Sequence, residues 1–281
     1  MRGISKSFIN DLKIGELAFF LNEAKTNPGI SLEIRGNYIN LYYKGGSAVK
    51  ISETSRGYSF QFDSKYCLNK DNDRNYHYLD NLDKRDAKQF ITAFPTILNE
   101  MDSWFAAHPK PERDFQHNLI KQNQQDPIVL DIEYAGRTAN QRQFRLDMLA
   151  LRKKAGGYQL IIVENKFGTG AIGGKAGLKK HYDDIAGILS SQKSRDELID
   201  SVISIAANKT ELGLINAPLS RDDIKGHEIL FIFADFNAKS RSIANEVMKI
   251  SQTIPASLIF TPARKTTIDY AETKDLFTYA D

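Results

Sequence analysis

Residues 143–166 read QFRLDMLALRKKAGGYQLIIVENK, and this stretch decides the fold. Two apolar segments lie on either side of the turn-forming residues 153–157. Such segments around a Gly-containing turn predict two antiparallel strands. Partners whose residue numbers sum to about 311 would place Asp147 opposite Glu164, because facing residues of an antiparallel pair form cross-strand neighbours.

Charged residues stand inside or directly after both apolar strands. Asp147 lies within the run LDMLAL, and Glu164, Asn165 and Lys166 directly follow LIIV. Because alternate residues of a strand share a face, Glu164 and Lys166 point the same way. Two neighbouring carboxylates repel each other unless a cation or a proton relieves them. Carboxylates that hold a cation beside a lysine that positions water are what metal-assisted phosphodiester hydrolysis requires.

Less specific interpretations of the same residues stay open. Asp147 is then a strand-end carboxylate without a role, and Glu164 and Lys166 form a surface ion pair. We favour the functional interpretation, because a charge inside an apolar strand needs a compensating partner.

The composition restricts the kind of metal site and the cellular location. The 281 residues carry a net charge of +3, which permits a nucleic-acid partner without requiring one. The single cysteine, Cys67, excludes an internal disulfide and a Cys-rich zinc site and fits a reducing cytoplasm. The five histidines show no HxH or HxxxH spacing, so oxygen ligands and hence Mg²⁺ or Mn²⁺ are expected. No apolar run is long enough to span a membrane, so we expect a cytoplasmic protein without a membrane partner.

The first part of the chain predicts a small α+β domain over residues 1–108. An opening amphipathic helix precedes four short alternating segments: SLEIRG, YINLYYKG, SAVKIS and YSFQFD. Gly-containing turns between them indicate an antiparallel meander. A helix is predicted over 84–106, with a kink at Pro95. The sequence His108-Pro109-Lys110-Pro111 is the predicted linker.

Residues 109–281 predict a second, α/β domain with a mixed sheet flanked by helices. A helix over 112–122 precedes strands at 128–134, 143–151 and 158–166. Leu178, Tyr182, Ile185 and Leu189 form the apolar stripe of the next helix. Ser194-x-x-Glu197 is a capping box that would open another helix. A strand at 229–234, a helix containing Ile243, Val247 and Ile250, and a strand at 257–260 predict a βαβ crossover.

The order of these elements and of their charged residues resembles the PD-(D/E)xK nuclease superfamily over roughly residues 112–262. The resemblance implies a restriction-endonuclease-like fold and an Mg²⁺-dependent endodeoxyribonuclease. It implies that Asp147 and Glu164 are metal ligands, that the Asn165 carbonyl is a further ligand, and that Lys166 assists the attacking water. Glu112, on the preceding helix, would complete the metal site, although the helix dipole alone also favours an acidic residue there.

Two positions depart from the pattern of that superfamily. Arg145-Leu146 stands where the literal motif has a proline before Asp147. Some branches place a glutamine four residues before a tyrosine on the following helix, where this chain has Leu178 before Tyr182. The chain is therefore not assigned to that branch.

Further residues are candidates for binding the nucleic acid. Arg145, Lys175, Lys179 and Lys180 would contact phosphates at the active-site end of the sheet. A solvated helix face explains the three lysines equally well. Gln116, one turn after Glu112, is a weaker site candidate on the same helix face.

The expected function is hydrolysis of DNA, with a role in defence against foreign DNA as in a restriction enzyme. Paired nicks on a duplex favour a homodimer. One alternative is a non-catalytic or regulated protein on the same fold that only binds nucleic acid or nucleotide. Another is a repair or recombination nuclease that acts on structured DNA. The first 108 residues would recognise DNA, bind a regulator or mediate dimerisation.

Overall fold

A computed structural model describes residues 2–66, 83, 85–123, 125–137, 143–168, 172–174 and 177–279. Within these ranges the chain forms seven α-helices and two β-sheets, which confirms the predicted α/β class. It divides into two units, Met1–Asp114 with Ala207–Asn216, and Phe115–Ala206 with Ala217–Asp281. Of the helices in the described ranges, none is both long and apolar enough to cross a membrane.

The first unit contains an antiparallel sheet of four strands in sequential order. Its elements are α1 (Lys6–Ile14), α2 (Ala18–Thr26), β1 (Ile30–Ile34), β2 (Tyr38–Tyr43), β3 (Gly46–Thr54), β4 (Gly57–Gln61) and α3 (Ala87–Ala107). The predicted meander is confirmed, and α3 continues through Pro95. The prediction of one opening helix is wrong, because the chain is extended at Gly15, where a Cβ would collide with Asp11.

One face of this first sheet buries polar groups that find partners within the chain. Glu33 is buried, and its Oε2 accepts a hydrogen bond from Lys209 Nζ at 2.8 Å. Asn40 lies opposite Glu33 on β2, and its Oδ1 accepts from Ser47 Oγ at 2.7 Å. Buried charges and amides are tolerated when they are paired in this way.

The second unit contains the larger sheet. Its elements are α4 (Pro111–Gln122), β5 (Ile128–Arg137), β6 (Gln143–Lys154), β7 (Gly157–Phe167), α5 (Leu178–Ser190), α6 (Gln192–Glu211), β8 (Ile224–Ala234), α7 (Arg241–Val247), β9 (Ala256–Thr261) and β10 (Lys274–Asp275). The first residues of α4 and the last residues of α6 belong to the first unit. Pro111 begins α4 as predicted, since a proline at the first position lacks only an amide that is unpaired there anyway.

The large sheet has six strands in the order β10-β9-β8-β7-β6-β5. Strands β5, β6 and β7 are antiparallel, whereas β7, β8 and β9 run parallel. Leu149 pairs with Ile162 and Met148 with Val163, which confirms the predicted hairpin register. The parallel pairing of β8 and β9 confirms the βαβ crossover.

Three local predictions need correction. Helix α6 begins at Gln192, so Ser194 lies inside it, and the Ser194 amide donates to Ser191 Oγ at 3.4 Å. The predicted capping box at Ser194 is therefore wrong, because Ser191 supplies the oxygen that an amide of the first turn needs. Helix α7 ends at Val247, before Ile250, and the short edge strand β10 was not predicted.

Candidate functional site

The β6–β7 ladder ends where the predicted site begins. Its last pair is Met148 with Val163, so Asp147 and Glu164 come next. The Asn165 amide donates to Asp147 Oδ2 at 2.9 Å, whereas in a continued ladder it would bond to the β6 backbone. The N–H and C=O of one strand residue point toward the same neighbouring strand. The Asn165 carbonyl therefore faces the Asp147 side.

Glu164 is a buried carboxylate with little compensation. Its side chain is 1% exposed, and neither carboxylate oxygen accepts a hydrogen bond within the part of the chain that the structure describes. Oε2 lies 2.9 Å from His181 Nδ1, within ion-pair distance but without the alignment of a hydrogen bond. A buried carboxylate without donors is unfavourable, and a bound cation would remove that penalty.

The pKa of Asp147 is shifted by its surroundings, which include the charge of Glu164. Burial, and after it the neighbouring charge of Glu164, raise the pKa of Asp147 to about 7. The Asn165 amide and the charges of Lys166 and His181 act in the opposite direction. Near neutral pH Asp147 therefore holds a proton part of the time, and a cation would compete with that proton.

Lys166 completes the predicted trio. It is buried and lies two residues after Glu164 on β7, so both side chains belong to one face of the strand. Its charge lowers the pKa of Asp147, which places the ammonium group within electrostatic reach of that carboxylate. The structure thus gathers Asp147, Glu164 and Lys166 where the ladder between β6 and β7 ends.

His181 is a site residue that the sequence did not identify as a partner of Glu164. It lies on α5, whose buried stripe includes the predicted residues Leu178, Tyr182, Ile185 and Leu189. The Tyr182 hydroxyl accepts from the amides of Thr253 and Ile254, each at 2.9 Å, and anchors the helix. The sequence signal was weak, since His181 only adjoins the apolar stripe and has no second histidine at ligand spacing.

The two candidates on α4, Glu112 and Gln116, fall in different units of the chain. Phe115 on α4 contacts Phe167 with ring centroids 5.9 Å apart, and Phe167 lies on the opposite face of β7 from Lys166. Among the described residues, no hydrogen bond connects Gln116 to Asp147 or Glu164. Glu112 is exposed in the first turn of α4 and belongs to the first unit. Their site roles stay predictions.

The predicted phosphate-binding residues have acidic neighbours. Arg145 is exposed and pairs with Glu133 at 3.1 Å. Lys179 and Lys180 pair with Asp183 and Asp184, each four residues later on α5. Exposed pairs of this kind are weak and leave the cation free to exchange partners. Lys175 lies outside the described residues, and the nucleic-acid role of all four stays a prediction.

The oxygen donors fit a hard divalent cation. Mg²⁺ is bound by one or two carboxylates, with water filling its other positions, and Asp147, Glu164 and the Asn165 carbonyl supply such donors. No three His, Cys, Asp or Glu side chains converge into a metal-binding group in the described ranges. Comparisons with protein-family models, curated proteins and solved structures found no match.

Proposed function

We propose that this protein is a nuclease that hydrolyses phosphodiester bonds in DNA with Mg²⁺ or Mn²⁺ as cofactor. The observation that carries the proposal is the pair of Asp147, which is half-buried, and Glu164, which is buried, beside Lys166. Glu164 lacks hydrogen-bond donors in the described ranges, and the pKa of Asp147 is raised to about 7. Perturbed carboxylates of this kind concentrate at functional sites.

The order of the elements supports a restriction-endonuclease-like fold. A helix precedes three antiparallel strands, and a helical segment then leads into two parallel strands joined by a crossover. Asp147 lies on the second of these strands and Glu164-Asn165-Lys166 on the third. This is the arrangement that the resemblance to the PD-(D/E)xK superfamily implies.

Each residue has a distinct task in the proposed reaction. Asp147, Glu164 and the Asn165 carbonyl would hold the cation. When bound, a divalent cation polarises the scissile phosphate and acidifies a water molecule. Lys166 positions the attacking water or stabilises the charge that develops on the phosphate. The low solvent exposure of Glu164 and Lys166 strengthens these electrostatic interactions.

Duplex DNA is the proposed substrate, and a homodimer is the simplest way to cut both strands with one centre per chain. Restriction-type defence is the proposed role. Cleavage at a defined sequence supports it, whereas indiscriminate degradation contradicts it. Preference for branched over linear duplex would instead indicate a repair or recombination nuclease.

The proposal is tested by incubating the protein with circular duplex DNA in Mg²⁺, in Mn²⁺ and in EDTA. Asp147→Asn, Glu164→Gln and Lys166→Ala should each reduce metal-dependent cleavage by a factor on the order of 10³, because the first two remove a ligand of the cation and the third removes a charge that acts on the reacting phosphate. Two matched variants should cleave like the wild type. Glu228→Gln alters a buried glutamate on β8, and Lys225→Ala alters an exposed lysine on the same strand.

Equal cleavage by all variants would mean that the activity does not depend on Asp147, Glu164 or Lys166. DNA binding without cleavage by any of them would favour the second candidate, a non-catalytic binding protein on the same fold. The position of His181 is the observation that favours this candidate, because an imidazole 2.9 Å from Glu164, when protonated, would neutralise the carboxylate without a metal.

A further inference from the structure

We infer that His181 is a positioning residue of the metal centre assigned under the proposed function, on which this inference rests. It holds the Glu164 carboxylate by one oxygen and leaves the other oxygen for the cation.

The two oxygens of Glu164 have different surroundings. Oε2 lies 2.9 Å from His181 Nδ1, within ion-pair distance, and neither Oε2 nor Oε1 accepts a hydrogen bond in the described ranges. We expect His181 to keep Oε2 and a bound cation to take Oε1, because Oε2 is the oxygen that lies against the imidazole nitrogen.

Helix α5 holds His181 in this position. Leu178 and Tyr182, on either side of it along α5, are buried. The Tyr182 hydroxyl accepts two backbone amides and donates to the Ile254 carbonyl at 3.0 Å, so the adjacent turn of the helix is fixed. Residues held on anchored helices position a ligand more accurately than residues on loops.

The proposed role needs the N–H of Nδ1 to align with Oε2 when a cation holds Oε1, and it does not need a charge. The neutral imidazole carries a proton on one ring nitrogen, and the hydrogen bond that it makes selects which one. An asparagine at position 181 places an amide N–H close to the position of Nδ1, whereas a leucine of similar bulk has no donor. Comparing the two substitutions therefore separates the loss of the N–H group facing Glu164 from a change in side-chain packing.

Partners of metal ligands contribute to metal affinity without touching the metal. Removing such a partner typically weakens metal binding by 10–100-fold. We therefore expect His181→Leu to raise the Kd for Mn²⁺ by about 10–100-fold. His181→Asn should bind Mn²⁺ within about 3-fold of the wild type, well inside that range.

The experiment measures Mn²⁺ binding by calorimetry without DNA, together with the Mg²⁺ concentration that gives half-maximal cleavage. The KM for DNA at saturating Mg²⁺ should not change in either variant, because His181 acts on the metal ligand and not on the substrate. Ser190→Ala, at the other end of α5, is the matched control and should resemble the wild type in each measurement. Thermal melting of each metal-free variant reports its folding.

Wild-type affinity in His181→Leu would overturn the inference. A Kd in His181→Asn as weak as in His181→Leu would also overturn it, because the effect would then come from packing. If His181→Leu does not fold, His181→Asn alone decides, since a loss of 10-fold or more in a folded protein contradicts the role of the donor. Failure of the proposed function is seen separately, as a wild type that neither binds Mn²⁺ nor cleaves DNA.

Discussion

Each of the two sheets contains a buried glutamate, and the two residues differ in whether a hydrogen-bond donor reaches the carboxylate. Glu33 and Glu164 are both 1% exposed. Glu33 Oε2 accepts from Lys209 Nζ at 2.8 Å, whereas Glu164 accepts no hydrogen bond in the described ranges. Burying a charge costs several kcal/mol unless a partner compensates it. The chain itself compensates Glu33, and we propose that a cation from outside compensates Glu164.

The buried asparagines show the same contrast. Asn123 Nδ2 donates to the carbonyls of Leu119 and Thr266, each at 2.7 Å. The side chain of Asn165 is equally buried, yet its Oδ1 and Nδ2 have no partner among the described residues. Unsatisfied buried polar groups are rare in native proteins and concentrate where a ligand or a function accounts for them. The end of β7 is such a place, and the position of Asn123 directly after α4 is not.

The largest expected effect is the stability difference between changes at the two glutamates. Glu33→Ala leaves Lys209 as a buried charge without its partner and should lower the free energy of unfolding by about 3–5 kcal/mol. Glu164→Gln in EDTA should leave it unchanged or raise it, because a neutral amide replaces an uncompensated carboxylate. Urea unfolding of both variants measures the difference. An equal loss in both would contradict the contrast between the two sites.

The second effect is the pH dependence of the metal-free protein. The folded pKa of Asp147, about 7, lies above its ordinary value of 3.8, so between pH 4 and 7 the folded state binds more protons. The free energy of unfolding should therefore fall as the pH rises through this window. Each pKa unit corresponds to about 1.4 kcal/mol, and because the carboxyl group is partly exposed we expect a total loss of roughly 3 kcal/mol. Urea unfolding in EDTA at pH 5 and pH 8 measures it. Asp147→Asn should flatten the profile, and an unchanged slope would assign it to other groups.

A smaller effect should follow the addition of metal. A ligand at 100 times its Kd stabilises the folded state by about 2.7 kcal/mol. Wild type and Glu228→Gln should both gain this amount in saturating Mg²⁺, because Glu228 accepts from Ser257 and is not part of the site. Glu164→Gln should gain nothing. Thermal melting with and without Mg²⁺ checks this, and a gain in Glu164→Gln equal to that of wild type would place the metal elsewhere.

The smallest effect concerns the helix that carries His181. Tyr182→Phe removes the acceptor of the Thr253 and Ile254 amides and should cost about 1–3 kcal/mol of stability. Because α5 then loses its anchor near Glu164, the Kd for Mn²⁺ should rise by a few fold, less than the 10–100-fold expected for His181→Leu. Calorimetry compares the two. A larger effect of Tyr182→Phe would mean that packing, and not the His181 contact, positions Glu164.

The hairpin could be predicted from the sequence because its register depends on residues that are close together in the chain. Alternation of apolar residues around the turn at 153–157 fixes the register, and the register places Asp147 beside Glu164. The same reasoning predicted the buried stripe of α5. It did not locate the beginning of α6, because Ser191 and Ser194 both stand near the start and only the backbone geometry selects Ser191.

The remaining features of the site depend on contacts between elements distant in sequence. His181 reaches Glu164 because α5 packs near the end of β7, and no spacing within the sequence encodes that approach. The sequence also did not reveal that Lys179 and Lys180 have acidic partners, although Asp183 and Asp184 stand at the i+4 spacing that favours such pairs.

The most direct test of the metal centre is a calorimetric Mn²⁺ titration of wild type, Glu164→Gln and Glu228→Gln, paired with cleavage of circular duplex DNA by the same preparations. We predict that wild type and Glu228→Gln bind Mn²⁺ and cleave DNA, whereas Glu164→Gln folds normally and does neither. Metal binding and cleavage by Glu164→Gln at the wild-type level would contradict the assignment of this buried carboxylate as a ligand.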